Sequence, residues 1–175
     1  MSSSTALGIT PDRRPVDLAE FRNGHGWSPS IWTRLVRHNG FGDDYMSWGP
    51  GPDPVDELWK VTEELPEWQQ AALVLTFDTG VIPFQAFDWA VDGLREFESK
   101  LPANPLHVNH VPAMADLIAT HPEVPMFGVW GTSVSENPFD PWDHDADDSG
   151  SGIPLSEIYL LPLHHDYPQA TEATP

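Results

Sequence analysis

Apolar positions recur with helical spacing through most of this chain, most densely between Leu65 and Leu101. Trp68, Ala71, Ala72 and Leu75 repeat at i, i+3, i+4 and i+7, while Leu73, Val74 and Phe77 fill much of the remaining circumference. A helix apolar on most sides belongs inside. Phe84, Phe87, Val91, Leu94, Phe97 and Leu101 form a second stripe, with Asp88, Asp92 and Glu96 stepping along the same segment at i+4 intervals. Pro66 and Pro83 each stand where a helix can begin, because proline's fixed φ suits the first turn and its missing N–H is not needed there. Gly80 separates the two segments, and this pair is the expected centre of the fold.

On either side the pattern predicts shorter helices. Val16, Leu18, Ala19 and Phe21 suggest one that starts at Pro15 and stops at Asn23–Gly24. Ser28 followed by Pro29 opens another, with Ile31, Trp32, Leu35 and Val36 inside and Asn39–Gly40 as its stop. After a Gly- and Pro-rich loop from Phe41 to Pro54, Asp53 caps a third. Val55, Leu58, Trp59, Thr62 and Leu65 line its inner side; Asp56, Glu57, Lys60, Glu63 and Glu64 face out. Val111–Pro112 starts a last helix, with Met114, Ala115, Leu117, Ile118 and Ala119 inside and its end at His121–Pro122. Only residues 125–134 and 155–163 are strand-like, rich in Val, Ile, Tyr and Trp, and they are expected to pair with each other.

The expected fold is therefore mainly α: a compact bundle of five or six short helices carrying a small C-terminal β-hairpin. Residues 15–168 would form one globular domain. The Ser-rich segment 1–14 and residues 169–175 would be flexible ends. A chain of 175 residues with eight Trp and eight Phe has apolar groups enough for a substantial core.

Charge narrows the choice of partner. Eight Lys and Arg stand against 27 Asp and Glu, a formal net of −19, and all eight bases lie in the first hundred residues. Nucleic acid and anionic membrane surfaces are bound through clustered Lys and Arg, so neither is an expected direct partner. A field of this sign attracts basic proteins, and it also serves solubility alone. With no Cys there is neither a disulfide nor a thiolate nucleophile. Residues 1–15 contain no apolar signal core and the longest apolar run is short, which predicts a soluble, cytoplasmic protein.

Motifs of catalysis are missing: the chain holds no G-x-S-x-G, P-loop or G-x-G-x-x-G. The loop from Asp143 to Glu157 opens like a calcium-binding loop, with Asp145, Asp147, Ser149 and Gly150, but Ile153 and Glu157 each fall one place late. A solvated acidic loop is the better description. His107, His110 and His121 with Asp116, or His164-His165-Asp166, offer imidazoles and carboxylates for zinc without a known spacing. No cofactor is expected. These observations favour an acidic protein-binding inhibitor that occludes a basic, nucleic-acid-binding partner, in the manner of an immunity protein or an anti-defence antagonist. The candidate partner-binding residues are Asp56, Glu57, Glu63, Glu64, Asp88, Asp92 and Glu96, together with Asp143, Asp145, Asp147, Asp148 and the flanking Trp130 and Trp142. The alternatives are a metal-dependent hydrolase built on His and Asp of the C-terminal third, and an assembly protein whose acidity serves solubility.

Overall fold

A computed structural model describes residues 3–11, 15–22, 27–46, 50–76, 80–121, 123–130 and 159–160. The chain runs β1 (Ser3–Ile9), β2 (Pro15–Arg22), α1 (Trp27–Asn39), α2 (Pro54–Lys60), a 3-10 turn (Thr62–Glu64), α3 (Glu67–Val74) and β3 (Gly80–Pro83). A second 3-10 turn (Phe84–Ala86) leads into α4 (Phe87–Lys100), followed by α5 (Val111–Thr120), β4 (Met126–Trp130) and β5 (Tyr159–Leu160). The strands lie in the order β2-β1-β4-β3-β5. The first four are antiparallel, and β5 adds two residues parallel to β3.

This architecture overturns the mainly α bundle with a C-terminal hairpin. Residues 126–130 are a strand, but they pair with β1 and β3, and Tyr159–Leu160 pairs with β3 rather than with β4. The N-terminal segment, expected to be flexible, supplies β1, which sits between β2 and β4. Ala6, Leu7 and Ile9 are fully buried and Ser4 and Thr5 nearly so. The composition of β1 hides it: a strand buried on both faces need not alternate, and here small residues permit close approach. A Cβ on Gly8 would lie 2.7 Å from Val124 Cγ1.

β2 replaces the helix expected from Pro15 for a related reason. Its register to β1 slips between Ala6 and Leu7, so that Ala6 faces Ala19 while Leu7 faces Asp17. Leu18 is the extra residue of a bulge. The bulge breaks the period of two, and the resulting Val16, Leu18, Ala19, Phe21 spacing imitates a helix.

The helices follow local signals closely. α1 ends in a Schellman motif, in which Phe41 N–H donates to Val36 O (3.0 Å), Gly40 N–H donates to Arg37 O (3.3 Å) and Gly40 has φ +75°. Asp53 Oδ1 accepts from Val55 N–H at 2.8 Å, with Pro54 as the first residue of α2. α3 is buried almost all round, through Trp68, Gln69, Ala71, Ala72, Leu73 and Val74. α4 begins four residues after Pro83, and Phe84 stands half exposed outside its inner stripe. One face of the sheet, with Ala6, Ile82, Phe127 and Val129, joins the helices in a common core, where the Phe87 and Phe127 rings meet edge to face at 6.3 Å.

α3 and α4 run antiparallel, because Trp68 meets Phe97 while Ala71 meets Gly93. A Cβ on Gly93 would collide with that of Ala71. Gly93→Ala should therefore lower stability by about 1 to 3 kcal/mol through overpacking, despite the roughly 1 kcal/mol that alanine gains over glycine inside a helix. Adding Ala71→Gly should restore most of the loss. Urea midpoints of the two single variants and the double variant check this, and a Gly93→Ala chain as stable as the parent would refute the close crossing.

Candidate functional site

The seven acids expected on helical faces divide into three groups. Asp56 is exposed on α2, and Glu57 is engaged with Lys60 at 2.5 Å. Glu63 and Glu64 are exposed on the turn that enters α3. Asp88, Asp92 and Glu96 are exposed along α4, and Glu96 pairs with Lys100 at 2.8 Å. The antiparallel crossing sets the N-terminal end of α3, which Glu63 and Glu64 precede in the chain, beside the C-terminal end of α4, where Lys100 Nζ lies 5.1 Å from the Trp68 ring. Asp88 sits at the opposite end of α4, and α2 packs on α1. Glu96 thus lies toward the C-terminal end of α4 and Asp88 toward the other, with Asp92 about one turn from each.

The bases whose side chains are described, Arg34, Arg37, Lys60, Arg95 and Lys100, are engaged within the chain. Arg34 is mostly buried; Nε donates to Leu101 O at 2.7 Å and Nη2 pairs with Glu98 at 2.5 Å. Its guanidinium lies 4.2 Å from the centre of the Phe97 ring. Desolvation lowers the Arg34 pKa, and the bond to Glu98 opposes that shift. Arg37 Nε donates to Asp43 O, and Arg95 reaches Asp116 at 3.4 Å. By contrast Asp56, Glu63, Glu64, Asp88 and Asp92 have no ion-pair partner among the described residues. The Arg34–Glu98 link was not visible in the sequence, because its partners are 64 positions apart.

Trp130 ends β4 opposite Thr5. Asp143, Asp145, Asp147, Asp148 and Trp142 lie outside the described residues, as do the calcium-like loop and His164-His165-Asp166. Of the proposed zinc residues, His107 is exposed between α4 and α5, and His110 packs against the Phe21 ring at 5.0 Å. Burial lowers the His110 pKa. His121 Nδ1 meets Glu123 at 2.8 Å and Asp116 meets Arg95, so His110, His121 and Asp116 are held in three separate contacts. Among the described residues, no three His, Asp or Glu are gathered as a metal would require.

Exposed apolar groups form a feature that the sequence reading missed. Leu106 is 88% exposed and Val108 59%, both in the loop between α4 and α5. Their signal was the Pro102 to Pro105 punctuation, which marks a loop and gives two large apolar residues no helix or strand to bury them. Among the described residues no helix is long and apolar enough to cross a membrane. Comparison of the chain with protein-family models, curated proteins and solved structures gives no match.

Proposed function

We propose that this protein acts by stoichiometric binding to a basic, nucleic-acid-binding partner, whose phosphate-holding surface its acidic helical faces occupy. An immunity protein against a basic toxin, or an antagonist of a defence protein, works in this way. The observation that carries the reading is the asymmetry of pairing: Lys60, Lys100, Arg34 and Arg95 are ion-paired within the chain, whereas five exposed acids on or beside regular helices have no ion-pair partner among the described residues. Carboxylates on helices keep their spacing better than those of a mobile loop, which suits a surface that imitates a row of phosphates. Glu63, Glu64 and Asp92 are the central members, being exposed, without an ion-pair partner among the described residues and on or beside the α3–α4 pair; Glu96 adds a carboxylate shared with Lys100.

The test begins with capture from a lysate of the source cells on the immobilised full chain, followed by kinetics with the purified captured protein. Association with a basic nucleic-acid-binding protein should weaken as salt rises, through the on-rate, since steering between exposed charges is screened over about 8 to 10 Å at physiological ionic strength. Asp92→Lys with Glu96→Lys should slow association by about tenfold or more at low salt and leave circular dichroism unchanged. Retention of no basic protein, or association that ignores both salt and charge reversal, would assign the acidity to solubility and end the proposal.

A further inference from the structure

The end of α1 carries a chemical hazard that the fold holds in check. Asn followed by Gly is the pairing in which a backbone nitrogen most easily reaches a side-chain amide, because glycine places no Cβ in the way. Asn39–Gly40 is such a pair, and both reacting groups are engaged. The Asn39 Nδ2 donates to Leu35 O at 2.8 Å, one turn back along α1, and to Gln69 Oε1 at 2.8 Å, on α3. These bonds turn the amide toward the preceding turn and away from the following residue. Gly40 N–H, the prospective nucleophile, donates to Arg37 O at 3.3 Å within the Schellman motif. Gln69 is only 2% exposed, so the bond between α1 and α3 is sheltered.

We infer that Asn39 is a deamidation site gated by the fold, and that its reaction unlatches α1 from α3. When the last turn of α1 opens, Gly40 N gives its proton to solvent base and attacks Asn39 Cγ. The departing nitrogen takes a proton back from solvent, the Cγ–Nδ2 bond breaks, ammonia leaves, and a five-membered succinimide forms. One water then opens the ring at either carbonyl, leaving aspartate or isoaspartate at position 39, with no oxidant or reductant involved. The product presents a carboxylate oxygen where the amide donor stood, facing two acceptors, Leu35 O and Gln69 Oε1. Both bonds are lost: Leu35 O has no hydrogen to give, Gln69 bonds the new carboxylate only by turning its buried amide over, and the charge is partly buried.

Peptide mapping by mass spectrometry tests the gate. The full chain is held at pH 8 and 37 °C either folded or in concentrated urea, and the exchange of amide nitrogen for oxygen at residue 39 is followed with time. Deamidation in the folded chain should be at least about tenfold slower, because it proceeds only from the open fraction. Equal rates in the two conditions would overturn the gate. The latch is read separately in Asn39→Asp, which should melt at a lower temperature and exchange the backbone hydrogens of residues 36–41 faster than the parent. An Asn39→Asp chain with unchanged melting and exchange would overturn the unlatching.

Discussion

Removal of residues 1–9 is expected to leave the rest of the chain without a cooperative fold. β1 is the strand through which β2 is joined to the sheet, since β2 pairs only with β1 among the described residues. Its loss strips β4 of one whole edge, from Met126 to Trp130. Leu7 and Ile9 are fully buried, and such side chains each contribute about 1.5 to 3 kcal/mol relative to exposure. Unpaired backbone groups on β4 and the uncovered Phe127 and Val124 add to the deficit. Against a typical domain stability of about 5 to 15 kcal/mol, the sum is large enough to remove the native state. The measurement is far-ultraviolet circular dichroism with urea unfolding of chain 10–175. A sigmoidal transition at the parent's midpoint would show that β1 is dispensable. The milder Leu7→Ala should cost about 2 to 5 kcal/mol while the fold survives.

That the first nine residues matter so much was not apparent from their sequence, and the reason is physical. Ser, Thr, Ala and Gly in β1 carry little hydrophobic signal, yet a central strand needs small residues where another element approaches its backbone, as Val124 approaches Gly8. β2 carries a helix-like pattern because a single inserted residue, Leu18, shifts the phase of its alternation. β3 is four residues long and bounded by Gly80 and Pro83, both of which signalled a break and a helix start. Strand pairing is also non-local: β4 was legible as a strand, but its neighbours lie about 120 positions upstream in β1 and about 45 in β3, beyond the reach of pattern and propensity. Helix signals act within a few residues, so the stops and starts at Gly40, Asp53, Pro54 and Val111 correspond to real termini.

The acidic faces were legible to a similar degree. Periodicity placed Asp88, Asp92 and Glu96 outside α4 and Phe87, Val91, Leu94 and Phe97 inside it, as observed. Which acids keep a cation was not legible, apart from the short-range pairs of Glu57 with Lys60 and Glu96 with Lys100. Nothing local marks Arg34 for burial, because the aromatic ring and carbonyl that receive it come from α4 and the residue after it. Whether an acidic face is free therefore depends on long-range packing, which only the fold reveals.

Phe97→Ala is expected to be the most damaging single substitution in the helical layer, at about 3 to 5 kcal/mol. Phe97 is fully buried, contacts Trp68 of α3 with ring centres 6.2 Å apart, and lies under the Arg34 guanidinium. Truncation leaves a cavity at the α3–α4 crossing and removes the aromatic face from a largely desolvated cation, a contact that contributes up to about 2 kcal/mol when water is excluded. The two losses separate experimentally. Phe97→Leu retains most of the apolar volume and discards the ring, so it should cost less than Phe97→Ala, and the remaining loss should shrink further in an Arg34→Met background. Asp92→Lys, at an exposed position on the same helix, serves as a control and should shift stability by no more than about 0.5 kcal/mol. Urea unfolding at fixed ionic strength gives all four values. A Phe97→Leu cost that is the same with Arg34 or Met at the facing position would show that the guanidinium draws nothing from the ring, leaving Arg34 held by Glu98 and the Leu101 carbonyl.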